Sequence, residues 1–164
     1  MTEVLQVGDF LRNVRSVLRF GEWSRGPLKL LRIEMKKADV WCDWMTRPVD
    51  VWDIELPQQA SEQNFTMQTL DDALKVRTML FDTFSGIRTA ELRAFRVSPG
   101  GEPELVLAGT ALRDDRQPAK NISLAMQAKL LGFRFTVADG SLTRLAPDRY
   151  SSLESGFGPS LKTT

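Results

Sequence analysis

Three times along this chain, a run of alternating apolar and polar residues meets a short turn and then a second such run. Leu31, Ile33 and Met35 alternate with Arg32, Glu34 and Lys36, and Lys37-Ala38-Asp39 turns the chain into Val40 to Thr46. Ala90, Leu92 and Ala94 alternate with Glu91 and Arg93 ahead of Phe95 and Val97, and Ser98-Pro99-Gly100-Gly101 reverses direction into Leu105 to Leu112. Phe133, Phe135 and Val137 alternate with Arg134 and Thr136, and Asp139-Gly140 leads into Leu142 to Leu145. A period of two is the mark of strands with one buried face, and connections this short join antiparallel neighbours. The pattern therefore predicts two to three hairpins and excludes a doubly wound parallel sheet.

Helical periodicity fills the intervals. Phe10, Leu11, Val14, Val17 and Leu18 after Asp9 form one stripe that stops at Gly21. Met67, Leu70, Ala73, Leu74, Leu80, Phe81 and Phe84 form a second, with Thr66 or Thr69 as N-cap, Asp71 and Asp72 in the first turn and Gly86 at its end. A third, Ile122, Ala125, Met126 and Leu130, opens at Pro118 and ends at Gly132. Residues 47–64 hold Pro48 and Pro57 and read as a long irregular connection with at most one short edge strand around Val51 to Leu56. The expected fold is α+β: an antiparallel or mixed sheet with about three helices mainly on one face, in the order α-β-β-(loop)-α-β-β-α-β-β. Residues 1–146 are expected to form one domain, and the Ser-, Gly-, Pro- and Thr-rich residues 147–164 a poorly ordered tail.

A chain of 164 residues buries enough surface to fold without disulfides or a structural metal. It contains no histidine, so imidazole ligands, imidazole proton shuttles and Ser-His-Asp or Cys-His pairs are excluded. Cys42 is the only cysteine, which excludes intrachain disulfides, Cys-x-x-Cys chemistry and multi-thiolate zinc. The net charge of +1 provides no global field for nucleic acid or an anionic membrane. Charged residues interrupt residues 1–20, and no apolar window reaches a membrane span, so the chain is expected to be cytoplasmic and soluble. Neither a G-x-G-x-x-G after a strand nor a Walker lysine is present, and no cofactor or metal is expected. Two N-x-[ST] triplets, at Asn64 and Asn121, read as chance.

Charge is segregated along the chain. Residues 38–72 hold eight acidic residues, one basic residue and Trp41, Trp44 and Trp52, whereas residues 1–37 hold eight basic and four acidic residues. Indoles beside carboxylates supply contact area and attract cations, so Trp41, Trp44, Trp52, Asp43, Asp50 and Asp53 are candidate binding residues. Trp41 and Trp44 have opposite parity in a strand, which allows one into the core and leaves the other outside; core packing is the simpler role for each. Asp39, Asp43, Asp50 and Asp53 are also the only acidic cluster for acid–base chemistry, though a solvated loop is the better account of them. Arg77 falls on the apolar side of the central helix, where it needs a carboxylate, an anionic ligand or a path for its guanidinium to water. Arg113, Arg116 and Lys120 surround a helix start, but Asp114 and Asp115 neutralise that loop.

The reading these residues favour is a small non-enzymatic protein that acts by association through its Trp-rich acidic segment. The partner is a second copy in a homodimer, another protein or a small ligand. A rival reading is a hydrolase or isomerase using Asp and Arg side chains. A third, nucleic-acid binding through Arg12, Arg15, Arg19 and Arg25, is opposed by the distance of the aromatics from those arginines along the chain.

Overall fold

The computed structural model describes Gly8, Phe10 and residues 28–47 and 57–145. Five strands form one mixed sheet in the order β1 (Lys29–Lys36), β2 (Asp39–Met45), β3 (Thr89–Val97), β4 (Pro103–Leu112) and β5 (Phe133–Arg134). Helix α1 (Gln58–Thr83) connects β2 to β3, α2 (Leu124–Leu130) precedes β5, and β6 (Thr136–Ala138) pairs with β7 (Ser141–Thr143) as a separate ribbon. The β1–β2, β3–β4 and β4–β5 pairs are antiparallel, whereas β2 and β3 run parallel. That one parallel pair is what the 26-residue α1 makes possible, because a parallel partner is reached only by a long crossover.

The alternation of the strands decides what α1 touches. Val40, Cys42 and Trp44 of β2 and Ala90, Leu92 and Ala94 of β3 are buried in one cluster with Leu70, Ala73, Val76, Leu80 and Phe84 of α1. Ala128 of α2 and the buried Phe133, Phe135 and Leu142 belong to the same cluster, so both described helices share this core. Phe10, helical and fully buried, sets its ring 5.8 Å from that of Phe84. The rest of the first expected helix, the short strand around Val51 to Leu56 and the tail 147–164 lie outside the described residues. A second, smaller cluster joins Phe95, Leu105, Ala108 and Leu145, with Leu31 and Met45 against it.

Four expectations are corrected. Leu31 does not share a face with Ile33 and Met35: the β1 register shifts between Leu30 and Arg32, and this bulge moves Leu31 to the smaller cluster. Helix α1 begins at Gln58, well before Thr66 or Thr69, in a segment expected to be irregular. Its first turns have few apolar residues to reveal a period and are held instead by the β6–β7 ribbon. Thr66 Oγ1 donates to Gly140 O at 2.7 Å and Ser141 Oγ to Glu62 Oε1 at 2.9 Å. Helix α2 starts after Ser123, not at Pro118, because the Ser123 hydroxyl accepts the Met126 amide and so caps it there. The alternating run from Phe133 to Val137 is not one strand. It breaks at the buried Phe135, so that β5 joins the main sheet and β6 pairs with β7 across Asp139 and Gly140, whose φ values of 53° and 84° suit a tight hairpin turn.

No basic residue lies in the last turn of α1, yet its end is neutralised from elsewhere. Arg113, just beyond β4, donates to the carbonyls of Phe81, Phe84 and Ile87 at 2.7–3.0 Å. This places a cation on the carbonyls that follow the last turn of the helix, where the intrahelical ladder runs out. The β4–β5 contact is closer still. A methyl group on Gly109 would lie 2.7 Å from Gly132 O and 2.9 Å from Phe133 Cα, and Gly132 holds φ at +97° against Thr110 O.

Both glycines therefore resist substitution. Gly109→Ala and Gly132→Ala are each expected to lose about 2–3 kcal/mol in urea unfolding, from backbone overlap and, at Gly132, left-handed strain. Gly86→Ala, with nothing within 4 Å of the added carbon, should change stability by less than about 1 kcal/mol. Equal losses at all three positions would remove the close approach as the cause.

Candidate functional site

Strand β2 carries most of the residues that the sequence singles out, and the pleat divides them. Trp44 is completely buried among the α1-facing residues, with no partner for its indole N–H among the described residues. Trp41 and Asp43 have the opposite parity, and Trp41 is only half-buried. Trp52, Asp50 and Asp53 lie outside the described residues. Asp39 and Asp43 stand four residues apart on one strand, roughly 13 Å at the usual rise, too far for two carboxylates to share one reacting atom.

Asp43 is bound on both oxygens. Arg93 lies opposite it in the parallel register and donates from Nε at 2.9 Å and Nη2 at 2.5 Å, while Arg32 on β1 brings Nη1 within 3.6 Å. Asp43 and Arg93 are both buried. The carboxylate is thus the centre of a cross-strand ion pair and is not available as a general acid or base. The guanidinium of Arg93 also lies 5.5 Å from the centre of the Phe95 ring.

One rung along, roughly 7 Å away on the pleat, Trp41 is in register with Glu34 on β1 and Glu91 on β3. Glu91 is positioned by a 2.9 Å hydrogen bond from Thr110, its partner on β4, and Glu34 is met by Arg32 at 2.7 Å. The Glu34 side chain remains 65% exposed. A half-exposed indole is therefore flanked by carboxylates on both neighbouring strands, an arrangement suited to an ammonium or guanidinium.

The remaining polar residues serve packing. Beyond the end of β2, Arg47 makes a two-pronged bond to Asp72 of α1, Nε to Oδ2 at 2.8 Å and Nη2 to Oδ1 at 2.7 Å, with both side chains almost sealed. Gln68, one turn earlier, donates to the Arg47 carbonyl at 3.3 Å. Burial raises Asp72 above the usual aspartate range; the Arg47 bonds and charge, and Lys75, pull it down, and Asp71 adds to the rise. Arg77 donates to Leu112 O at 3.1 Å and lies 5.2 Å from the Phe81 ring centre, whose other cationic neighbour is Arg113 at 5.0 Å. Burial lowers the Arg77 guanidinium and the charge of Asp115 opposes that fall. Cys42 is fully buried, and desolvation together with Asp43 pushes its thiol far above the range of a nucleophile.

The structure thus brings Asp43 and Trp41 onto adjacent rungs of one face and separates them from Trp44 and Arg77. Arg93, Arg32, Glu34 and Glu91, which complete those rungs, were not among the sequence candidates. Parity alone put Glu91 and Arg93 on one face of their strand, but only the register across α1 pairs them with Trp41 and Asp43. Among the described residues no group of three His, Cys, Asp or Glu side chains forms a metal site, and no helix is long and apolar enough to cross a membrane. No family model, curated protein or solved structure matches this chain.

The Arg47–Asp72 pair generates a test of coupling. Arg47→Met alone is expected to cost about 3–5 kcal/mol, because it strands a buried carboxylate, whereas the Arg47→Met/Asp72→Leu double variant should recover most of that loss. Since Asp72 titrates higher in the folded chain than in the unfolded one, the folded state holds the extra proton between those two values. Stability contributed by this group therefore falls as pH rises through that window, and Asp72→Asn should remove that part of the slope in pH-dependent urea titrations.

Proposed function

We propose that this chain is a binding protein without catalytic chemistry, and that it acts by holding a cationic group on the Glu34–Trp41–Glu91 rung. The observation that carries the reading is the register itself: a half-exposed indole between two carboxylates on the face of the sheet opposite the α1 core. The ring face attracts a cation through its quadrupole while the carboxylates add charge and hydrogen-bond acceptors. Each contact is modest, about 0.5–2 kcal/mol, so one rung supports weak and reversible association. The partner is a protein or small ligand that presents an ammonium or guanidinium. A second copy of this chain, with the exposed Lys36 at the end of β1, is one such partner.

The alternative of an acid–base enzyme loses Asp43 to its arginine partners.

Fluorescence quenching tests the reading directly. Caesium ion should quench the Trp41 contribution, taken as the difference between the wild-type chain and Trp41→Phe, more efficiently than iodide does. Glu34→Gln/Glu91→Gln should abolish that preference. Calorimetric titration with a lysine-containing peptide should show affinity reduced by about fivefold to tenfold in Trp41→Ala, and the lysine-acetylated peptide should not bind. Equal quenching by both ions, or peptide binding indifferent to acetylation, would overturn the proposal. Sedimentation across a concentration series identifies a second copy as the partner if the mass rises and Trp41→Ala prevents the rise.

A further inference from the structure

The two carboxylates beside Trp41 are not equivalent. Glu34 is met by Arg32 at 2.7 Å, and Arg93, the other arginine of the next rung, is committed to Asp43. Glu91 is bonded to no cation among the described residues; its partner is neutral, the Thr110 hydroxyl, which donates to Oε1 at 2.9 Å. Thr110 stands opposite Glu91 on β4, on the side away from Trp41 in the strand order. One oxygen of Glu91 is therefore engaged on the β4 side, and the other accepts no hydrogen bond among the described residues. Glu91 is half-buried and Thr110 exposed, so a cation held here keeps contact with water.

We infer that Thr110 sets the choice of cation on this rung, and that the ligand is a primary ammonium, as on a lysine side chain, in preference to a guanidinium. The inference rests on the reading of the Trp41 rung as a cation site. The advantage of a guanidinium at a carboxylate is its planar fork, which places two parallel N–H groups on two oxygens. With Oε1 holding the Thr110 proton, that fork meets one free oxygen and one already engaged. An ammonium needs a single acceptor and the indole face, and in a half-exposed place its other N–H groups stay hydrated. Glu34, already neutralised by Arg32, adds little to the attraction, so Glu91 is the carboxylate that binds.

The test is calorimetric titration of the full chain with two peptides that differ only in carrying lysine or arginine at one position. The wild-type chain should favour the lysine peptide by about threefold to fivefold. Thr110→Val, which keeps the branched shape and frees Oε1, should erase or reverse that preference by strengthening the arginine peptide. Thr110→Ser, which keeps the hydroxyl, should preserve it. Glu91→Gln should weaken the lysine peptide about tenfold and Glu34→Gln less than about twofold. A merely structural role for Thr110 would move both affinities together and leave their ratio alone. A ratio unchanged in Thr110→Val, or a wild-type chain that favours arginine, overturns the inference, and the Trp41 reading still stands if Trp41→Ala weakens both peptides. If Trp41→Ala weakens neither, the reading itself fails and this inference with it.

Discussion

The parallel register of β2 on β3 is the constraint from which the rest of this architecture follows, and the Asp43–Arg93 pair is what makes it specific. A slip of one residue would turn the apolar set of β2 away from α1, and burial alone forbids that. A slip of two residues keeps every apolar side chain on its proper face, so hydrophobicity does not forbid it. Such a slip would set buried Asp43 opposite Glu91 or Phe95 and strand Arg93 without its carboxylate. The ion pair thus discriminates between registers that the core treats as equivalent, a use of buried charge that yields specificity more than stability.

Helix α1 is then tied at its middle and at its C-terminal end by arginines from outside it. Arg47, leaving β2, clasps Asp72, and Arg113, leaving β4, reaches the final carbonyls. Between these two points the helix carries Ala73, Val76, Met79, Leu80 and Phe81 of the main core. The same device, a planar cation with several fixed donors, answers a buried carboxylate in one place and a helix terminus in the other. The guanidiniums of Arg77 and Arg113 also flank Phe81, so the lower part of the core is bounded by cationic surface lying against an aromatic ring. Arg77 is a packing residue by this account, which is the plainer of the roles its position on the helix allowed.

What was legible in the sequence was whatever depended on neighbours along the chain. The first two hairpins follow from period-two runs and their turns, and the middle of α1 from its apolar stripe. The opposite fates of Trp41 and Trp44 follow from parity. Illegible were features set by distant partners. Gln58 to Asn64 join α1 because a ribbon some seventy residues later holds Glu62 and Thr66. Leu31 changes face because a bulge, invisible in the alternation, interrupts β1. The Asp43–Arg93 and Trp41–Glu91 pairs span fifty residues across a crossover, and opposite charges at that separation imply nothing until the register is known.

The edges of the sheet bear on how such a chain associates. Strand β1 is an edge, but it is bulged at Leu31 and carries Lys29 and Lys36 at its two ends, features that oppose the docking of another strand. At the other edge, β5 pairs with β4 at Ala108 and Gly109, and Leu145 N donates to Leu105 O at 2.8 Å. Strand addition is therefore disfavoured at β1, and in the proposed reading recognition falls to side chains on a face. Among the described residues on the face opposite α1, the rung centred on Trp41 combines aromatic surface with charge and is not sealed. In the proposed reading, its chemistry selects a partner by charge and not by backbone pairing.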